Sequence, residues 1–199
     1  MFDAVLGRRV RGTLWALLAA PLVGACQSHS VARCTTSEVE CSVAVYRELL
    51  LQAYVEPETQ LVVLDSELLV FDDGWSDSDR PRGLDSQAWR AFRTASRTGG
   101  RVPSGVLPAV KVIWLPRGDV EAEPGAVARD DDWAAFHRRY PGSSGLIQLS
   151  RVGFSPDGRS AVVYGTVARG PLSAASHLFV LRRTGSRWCV VHVHELGIA

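Results

Sequence analysis

Lysine is almost absent from this chain: Lys111 stands alone among 22 basic residues. That ratio is the codon signature of a GC-rich genome, so the arginines are not read as phosphate clamps. Charge of one sign is missing as well, with 22 basic against 21 acidic residues. A near-neutral domain lacks the basic field that would draw nucleic acid or an anionic lipid surface. There is no glycine-rich phosphate loop, no Rossmann fingerprint and no C-x-x-C pair, which leaves nucleotide chemistry and cysteine-ligated zinc without a sequence basis. No cofactor is expected.

What the chain does have begins at its N-terminus. Arg8, Arg9 and Arg11 precede an apolar run from Leu14 to Val23, and Gly24 and Ala25 lead into Cys26. About ten apolar residues are too few to cross a ~30 Å hydrocarbon layer, so the run reads as an export signal. Val23-Gly24-Ala25-Cys26 resembles a bacterial lipobox, which implies that Cys26 carries lipid, palmitate among its acyl chains, and becomes the first mature residue. The expected organisation is a signal peptide over 1–25, a tether over 26–36 and one domain over 37–199. The expected address is the bacterial cell envelope, with a lipid anchor on the periplasmic or outer side. By the same resemblance Gln27 favours the outer membrane.

Removing the leader leaves 174 residues, with 19 basic and 20 acidic side chains. That length suits one domain with a sizeable core. With Cys26 committed to lipid, Cys34, Cys41 and Cys189 remain in an oxidising compartment. Cys34 and Cys41, seven residues apart, are the expected pair, and Cys189 is expected to be a buried free thiol. A bond from Cys189 to the N-terminal segment is the alternative.

Ser37-Glu38-Val39-Glu40 has the form of a capping box, and the apolar spacing that follows predicts a helix over about 38–54. Leu61–Leu64 reads as a strand. Asp85 or Ser86 caps a second helix carrying Trp89, Phe92 and Ala95, and Val110–Leu115 reads as another strand. Asp130-Asp131-Asp132 opens a third helix, with Trp133, Phe136 and Tyr140 on one side. The period then changes, and Leu146–Phe154, Ala161–Ala168, Ser176–Arg183 and Trp188–Leu196 read as a four-stranded antiparallel meander. The fold class is α+β. The third helix is expected to lie on this meander, with Trp133 and Phe136 meeting Val163, Phe179, Leu181 and Trp188.

Tyr140-Pro141-Gly142, Ser150-Arg151-Val152-Gly153-Phe154, Ala161-Val162-Val163-Tyr164 and Gly185-Ser186-Arg187-Trp188 together resemble a family of small bacterial exported proteins. Its members carry a Ser-Arg-Val-Gly-Phe-Asn strand, an Ala-Leu-Val-Tyr strand and a Gly-x-Trp hairpin, and the likeness covers about residues 133–190. That family has no assigned activity. Its Gly-Leu-Cys-Gly segment is replaced here by Gly170-Pro171-Leu172-Ser173-Ala174-Ala175. The closing hairpin is also similar to the end of NTF2-like domains, which implies a curved sheet with helices in its concavity.

Among groups that carry chemistry, His192 and His194 share a strand face and form a candidate metal pair, while Glu195 points the other way. A complete site needs a further ligand, His177 or an aspartate. Asp72, Asp73, Asp77 and Asp79 supply calcium-type oxygens but fit no EF-hand spacing. Gly142-Ser143-Ser144-Gly145 lies between helix and strand, the reverse of a nucleophile elbow. His137 belongs to the polar side of the third helix. Arg151 either meets Asp65 or Glu48 in a salt bridge or contacts an anionic ligand. No residue is assigned a catalytic role. The expected function is a binding or scaffolding module for an envelope protein or small ligand. The competing expectation is an envelope hydrolase, metal-assisted through His192 and His194.

Overall fold

The computed structural model describes residues 37–71, 75–116 and 130–198. Three helices and seven strands follow in the order α1 (Glu38–Ala53), β1 (Leu61–Asp65), α2 (Ser86–Ala95), β2 (Lys111–Leu115), α3 (Asp130–Arg139), β3 (Ser143–Leu149), β4 (Gly153–Phe154), β5 (Ser160–Gly170), β6 (Ser173–Thr184) and β7 (Arg187–Ile198). The class is α+β. All strands join one mixed sheet of order β2-β1-β3-β5-β6-β7, with β4 attached to β5. β1 runs parallel to β2 and β3, and the pairs from β3 through β7 are antiparallel. β1 is buried at every position, as a parallel strand covered on both faces requires. The expected strand over 146–154 is interrupted: β3 ends at Leu149 and β4 begins at Gly153.

The helix starts follow their caps. At α1 the Ser37 hydroxyl accepts from the Glu40 amide at 3.3 Å, and the Glu40 carboxylate accepts from the Ser37 amide at 3.1 Å. At α2 the Asp85 carboxylate accepts from the amides of Gln87 and Ala88, both at 2.9 Å. Each cap satisfies donors that the first turn leaves without a carbonyl.

Strand alternation sorts the core into two layers. α1 lays Val45, Tyr46, Leu49, Leu50 and Tyr54 on one face, against Val62, Leu64, Ile147, Leu149, Val163, Phe179, Leu181 and Trp188. The opposite face carries both other helices. There Trp133, Phe136 and Tyr140 of α3 pack on Leu61, Val63, Leu115 and Leu146, and Trp89 and Phe92 of α2 pack on Val162, Leu178 and Val180. This corrects the expected core, because Phe179 and Leu181 project to the α1 side while α3 lies over β1, β2 and β3. Only the even-numbered residues of β6 face the side that holds α2 and α3.

The Ser150–Phe154 segment gains a mechanical reading from its neighbours. The buried Ser150 hydroxyl accepts from the Tyr164 amide at 2.9 Å, and the Ser150 carbonyl accepts from the Tyr46 hydroxyl at 2.9 Å. Val152 enters the α1-side core. A side chain on Gly153 would stand 2.2 Å from the Phe92 Cα, so the backbones of β4 and α2 touch. Phe154 packs on Trp188 with ring centroids 5.9 Å apart.

Candidate functional site

β7 forms one border of the sheet, and α1 reaches over its first half. The Gln52 side chain acts there as a substitute strand: its amide donates to the Trp188 carbonyl at 3.3 Å, and its carbonyl accepts from the Val190 amide at 3.0 Å. Beside it the Arg187 guanidinium lies 3.6 Å from the Glu48 carboxylate. Among the described residues that cover ends beyond Val190. An uncovered edge leaves a row of backbone donors and acceptors available for another chain.

Two irregularities in the pairing of β6 with β7 shape this open half. Val191 and Leu196 fall at the register shifts, each as an extra residue on β7. They are 37% and 40% exposed, and Val193 between them is 51% exposed. The first bulge also reverses the phase of the strand. Val190 pairs with Leu181 on the α1 side, yet His192 pairs with Val180 and His194 with Leu178 on the α2 side. Re-aiming side chains is what a bulge does.

His192 and His194 therefore share a face, with ring centroids 6.0 Å apart and planes inclined by 32°. His192 is exposed and His194 half-buried. The His194 Nε2 is buried without a hydrogen-bond partner among the described residues. Burial, and secondarily the neighbouring His192, hold the His194 imidazole below the usual histidine range. His177, the expected third ligand, is not with them. It pairs with Glu195 on the opposite side of the sheet, where its ring packs on Phe179 at 5.7 Å. Among the described residues no three or more His, Cys, Asp or Glu side chains gather as a metal site.

That opposite side holds a polar pair that sequence reasoning missed. Among the described residues the Tyr54 hydroxyl, on a residue only 6% exposed, has no hydrogen-bond partner, and neither does the buried Nδ1 of His177. A Cβ on Gly165 would lie 2.6 Å from the Tyr54 hydroxyl, and Gly165 is the cross-strand partner of His177. Burial drives the Tyr54 phenol far above its ordinary pKa. No spacing in the sequence relates Tyr54 to His177, and what they share is Phe179, against which both rings pack.

The other candidates stand apart. Arg151 forms neither expected salt bridge: its guanidinium donates to the Gly99 carbonyl at 2.8 Å, fastening the segment before β2. Asp65 accepts from Gln148 at 3.1 Å, and Glu48 serves Arg187. β5 and β6 separate Arg151 from the histidines of β7. Asp77 pairs with Arg93 at 2.7 Å, and the Asp79 carboxylate accepts from the Ser76 amide at 2.6 Å. The Ser76 hydroxyl also donates to this carboxylate, and that bond first and the amide bond second hold the Asp79 carboxyl below the usual carboxylate range. Asp72 and Asp73 lie outside the described residues. Gly142, at φ +75°, turns the chain from α3 into β3, as a plain connection. His137 is exposed, with its Nε2 2.9 Å from the Arg169 carbonyl.

Cys41 and Cys189 are both disulfide-bonded, so Cys189 is not the free thiol expected from cysteine parity. In the sequence, its place in a strand between Trp188 and Val190 reads only as that of a small buried hydrophobe. Cys26 and Cys34 lie outside the described residues. Among the described residues no helix is long and apolar enough to cross a membrane. No family model, no curated protein and no solved structure matches this chain.

Proposed function

We propose that this chain is a lipid-anchored protein of the bacterial cell envelope whose α+β domain works as a binding module. Its contact line is the open half of β7. The observation that carries this reading is the asymmetry of that strand: Gln52 occupies the edge at Trp188 and Val190, and Val191, Val193 and Leu196 beyond it stay exposed. The partner is an extended segment of another envelope protein. It adds along the backbone of His192–Glu195 and sets apolar side chains against Val193, the recognition mode of strand addition. The bulges at Val191 and Leu196 limit the run to four regular residues, which blunts indiscriminate edge-to-edge association.

The leader supports the anchor: its arginines, short apolar run and small pair converge on Cys26. The segments at Ser150–Phe154 and Gly185–Trp188 support placing the chain with the small exported proteins they resemble. Photo-crosslinking tests the module. A crosslinker at Val193 is expected to yield one adduct whose partner peptide is extended, and Val191→Asp is expected to abolish it. The same adduct from Thr94, exposed on α2, refutes the contact line. Clickable fatty acid should label the wild type and not Cys26→Ser, and equal labelling refutes the anchor.

A further inference from the structure

We propose that His192 and His194 form a two-imidazole chelate for a first-row transition-metal dication on the α2 side of β7, in solvent reach beside the open edge.

The geometry comes first. Metal–imidazole bonds of about 2.0–2.1 Å place two ring centroids on one tetrahedral ion roughly 5 Å apart. The two rings here stand 6.0 Å apart at 32°, within reach of that separation by rotation about their side-chain bonds. Strand alternation puts Glu195 on the other side from both imidazoles, and the bulge at Val191 turns the pair to the α2 side, away from His177. The donor set is therefore purely imidazole, which suits Cu²⁺, Ni²⁺ and Zn²⁺ and not the oxygen-seeking Mg²⁺ or Ca²⁺. Satisfaction of polar atoms comes second. The His194 Nε2 has no partner among the described residues, and a buried nitrogen of this kind gains from any ligand that uses its lone pair. Competition comes third. Cys189, the thiol-bearing residue of the same strand, is locked in a disulfide and offers no thiolate. Two protein donors leave the remaining coordination positions to water or to an incoming group.

The test uses the untagged, lipidated chain in detergent, stripped with chelator and titrated calorimetrically with Cu²⁺ and Ni²⁺. Binding of one ion per chain is expected, Cu²⁺ tighter than Ni²⁺ by the ordinary ligand-field order, with Mg²⁺ silent. Copper electron paramagnetic resonance should show two coordinating nitrogens. His192→Asn and His194→Asn should each lose the Cu²⁺ isotherm, while His137→Asn and His177→Asn keep it. His192 is exposed, so its variant keeps the fold and decides the matter even where His194→Asn is unstable. Unchanged Cu²⁺ binding in His192→Asn, or its loss in His177→Asn, overturns the proposal.

Discussion

Gly153→Ala is the sharpest perturbation this architecture offers. A Cβ at that position would lie 2.2 Å from the Phe92 Cα and 2.4 Å from the Phe92 amide nitrogen. Ordinary carbon–carbon contact is about 3.5–4.0 Å, so the overlap exceeds 1 Å. The obstacle is backbone, and no rotamer change relieves it. α2 must move away from β4, opening the layer where Trp89, Phe92, Val162 and Leu178 pack. Overpacking costs about 1–3 kcal/mol where side chains can adjust, so a backbone collision belongs at about 3 kcal/mol or above. Gly158→Ala is the matched control. Its added Cβ meets nothing within 4 Å, but its φ is +67°, so the cost is the left-handed penalty of about 1–2 kcal/mol. Urea unfolding followed by tryptophan fluorescence on mature protein bearing Cys26→Ser measures both. With a slope of about 2 kcal/mol per molar, Gly153→Ala should lower the midpoint by about 1.5 M. Adding Phe92→Ala should not restore it, since the clash is with main-chain atoms. A smaller loss for Gly153→Ala than for Gly158→Ala refutes the close approach of α2 to β4.

Phe179→Ala removes a ring buried between Tyr54 and His177 and should cost about 3–5 kcal/mol in the same assay; a loss under 1 kcal/mol would contradict the α1-side core. Thiol-reactive reagent applied to the native, non-reduced protein should leave Cys41 and Cys189 unmodified, and reduction should lower stability by about 2–4 kcal/mol; labelling of Cys189 without reductant would show the bond absent. Asp157 is held below the usual carboxylate range, first by the Ser155 hydroxyl and next by the Arg159 amide. Its contribution is therefore present above the unfolded carboxyl's pKa and lost as pH falls through the folded one. Asp157→Asn should flatten the acid limb of a stability–pH curve, and an unchanged limb removes this hairpin from the acid response.

Elements with strong local signals were legible in the sequence. Ser37 with Glu40 and Asp85 ahead of α2 are caps whose chemistry is complete within four residues, and both start helices as expected. The tight hairpin at Gly185, φ +61°, likewise needs only its own turn residue. The pairing of α3 with the wrong strands had a different origin. Trp133 and Phe136 were visible as an apolar stripe, but a stripe does not name its partner. The partner is set by the crossover that carries β3 beside β1, a contact spanning some eighty residues. Asp65 with Gln148 was hidden for the same reason, since its buried carboxylate–amide bond joins two parallel strands.

The candidate site divides along the same line. That His192 and His194 share a face follows from strand period alone, and so does the opposition of Glu195. Which face they take depends on the bulge at Val191, which inverts the phase between Val190 and His192. A run of Val-Val-His-Val-His carries no glycine or polar break to announce it. Had β7 paired without that extra residue, both imidazoles would have turned toward α1, beside His177 and Phe179, and a three-histidine cluster would have formed. One inserted residue instead leaves two histidines at the solvent side of a half-covered edge, and leaves His177 on the other face against Phe179. A change that removes the bulge, such as deletion of Val191, should transfer His192 and His194 to the α1 side. Histidine protection from diethyl pyrocarbonate would report it: His192, exposed in the native protein, should become shielded, and continued rapid modification would mean the bulge does not set the phase.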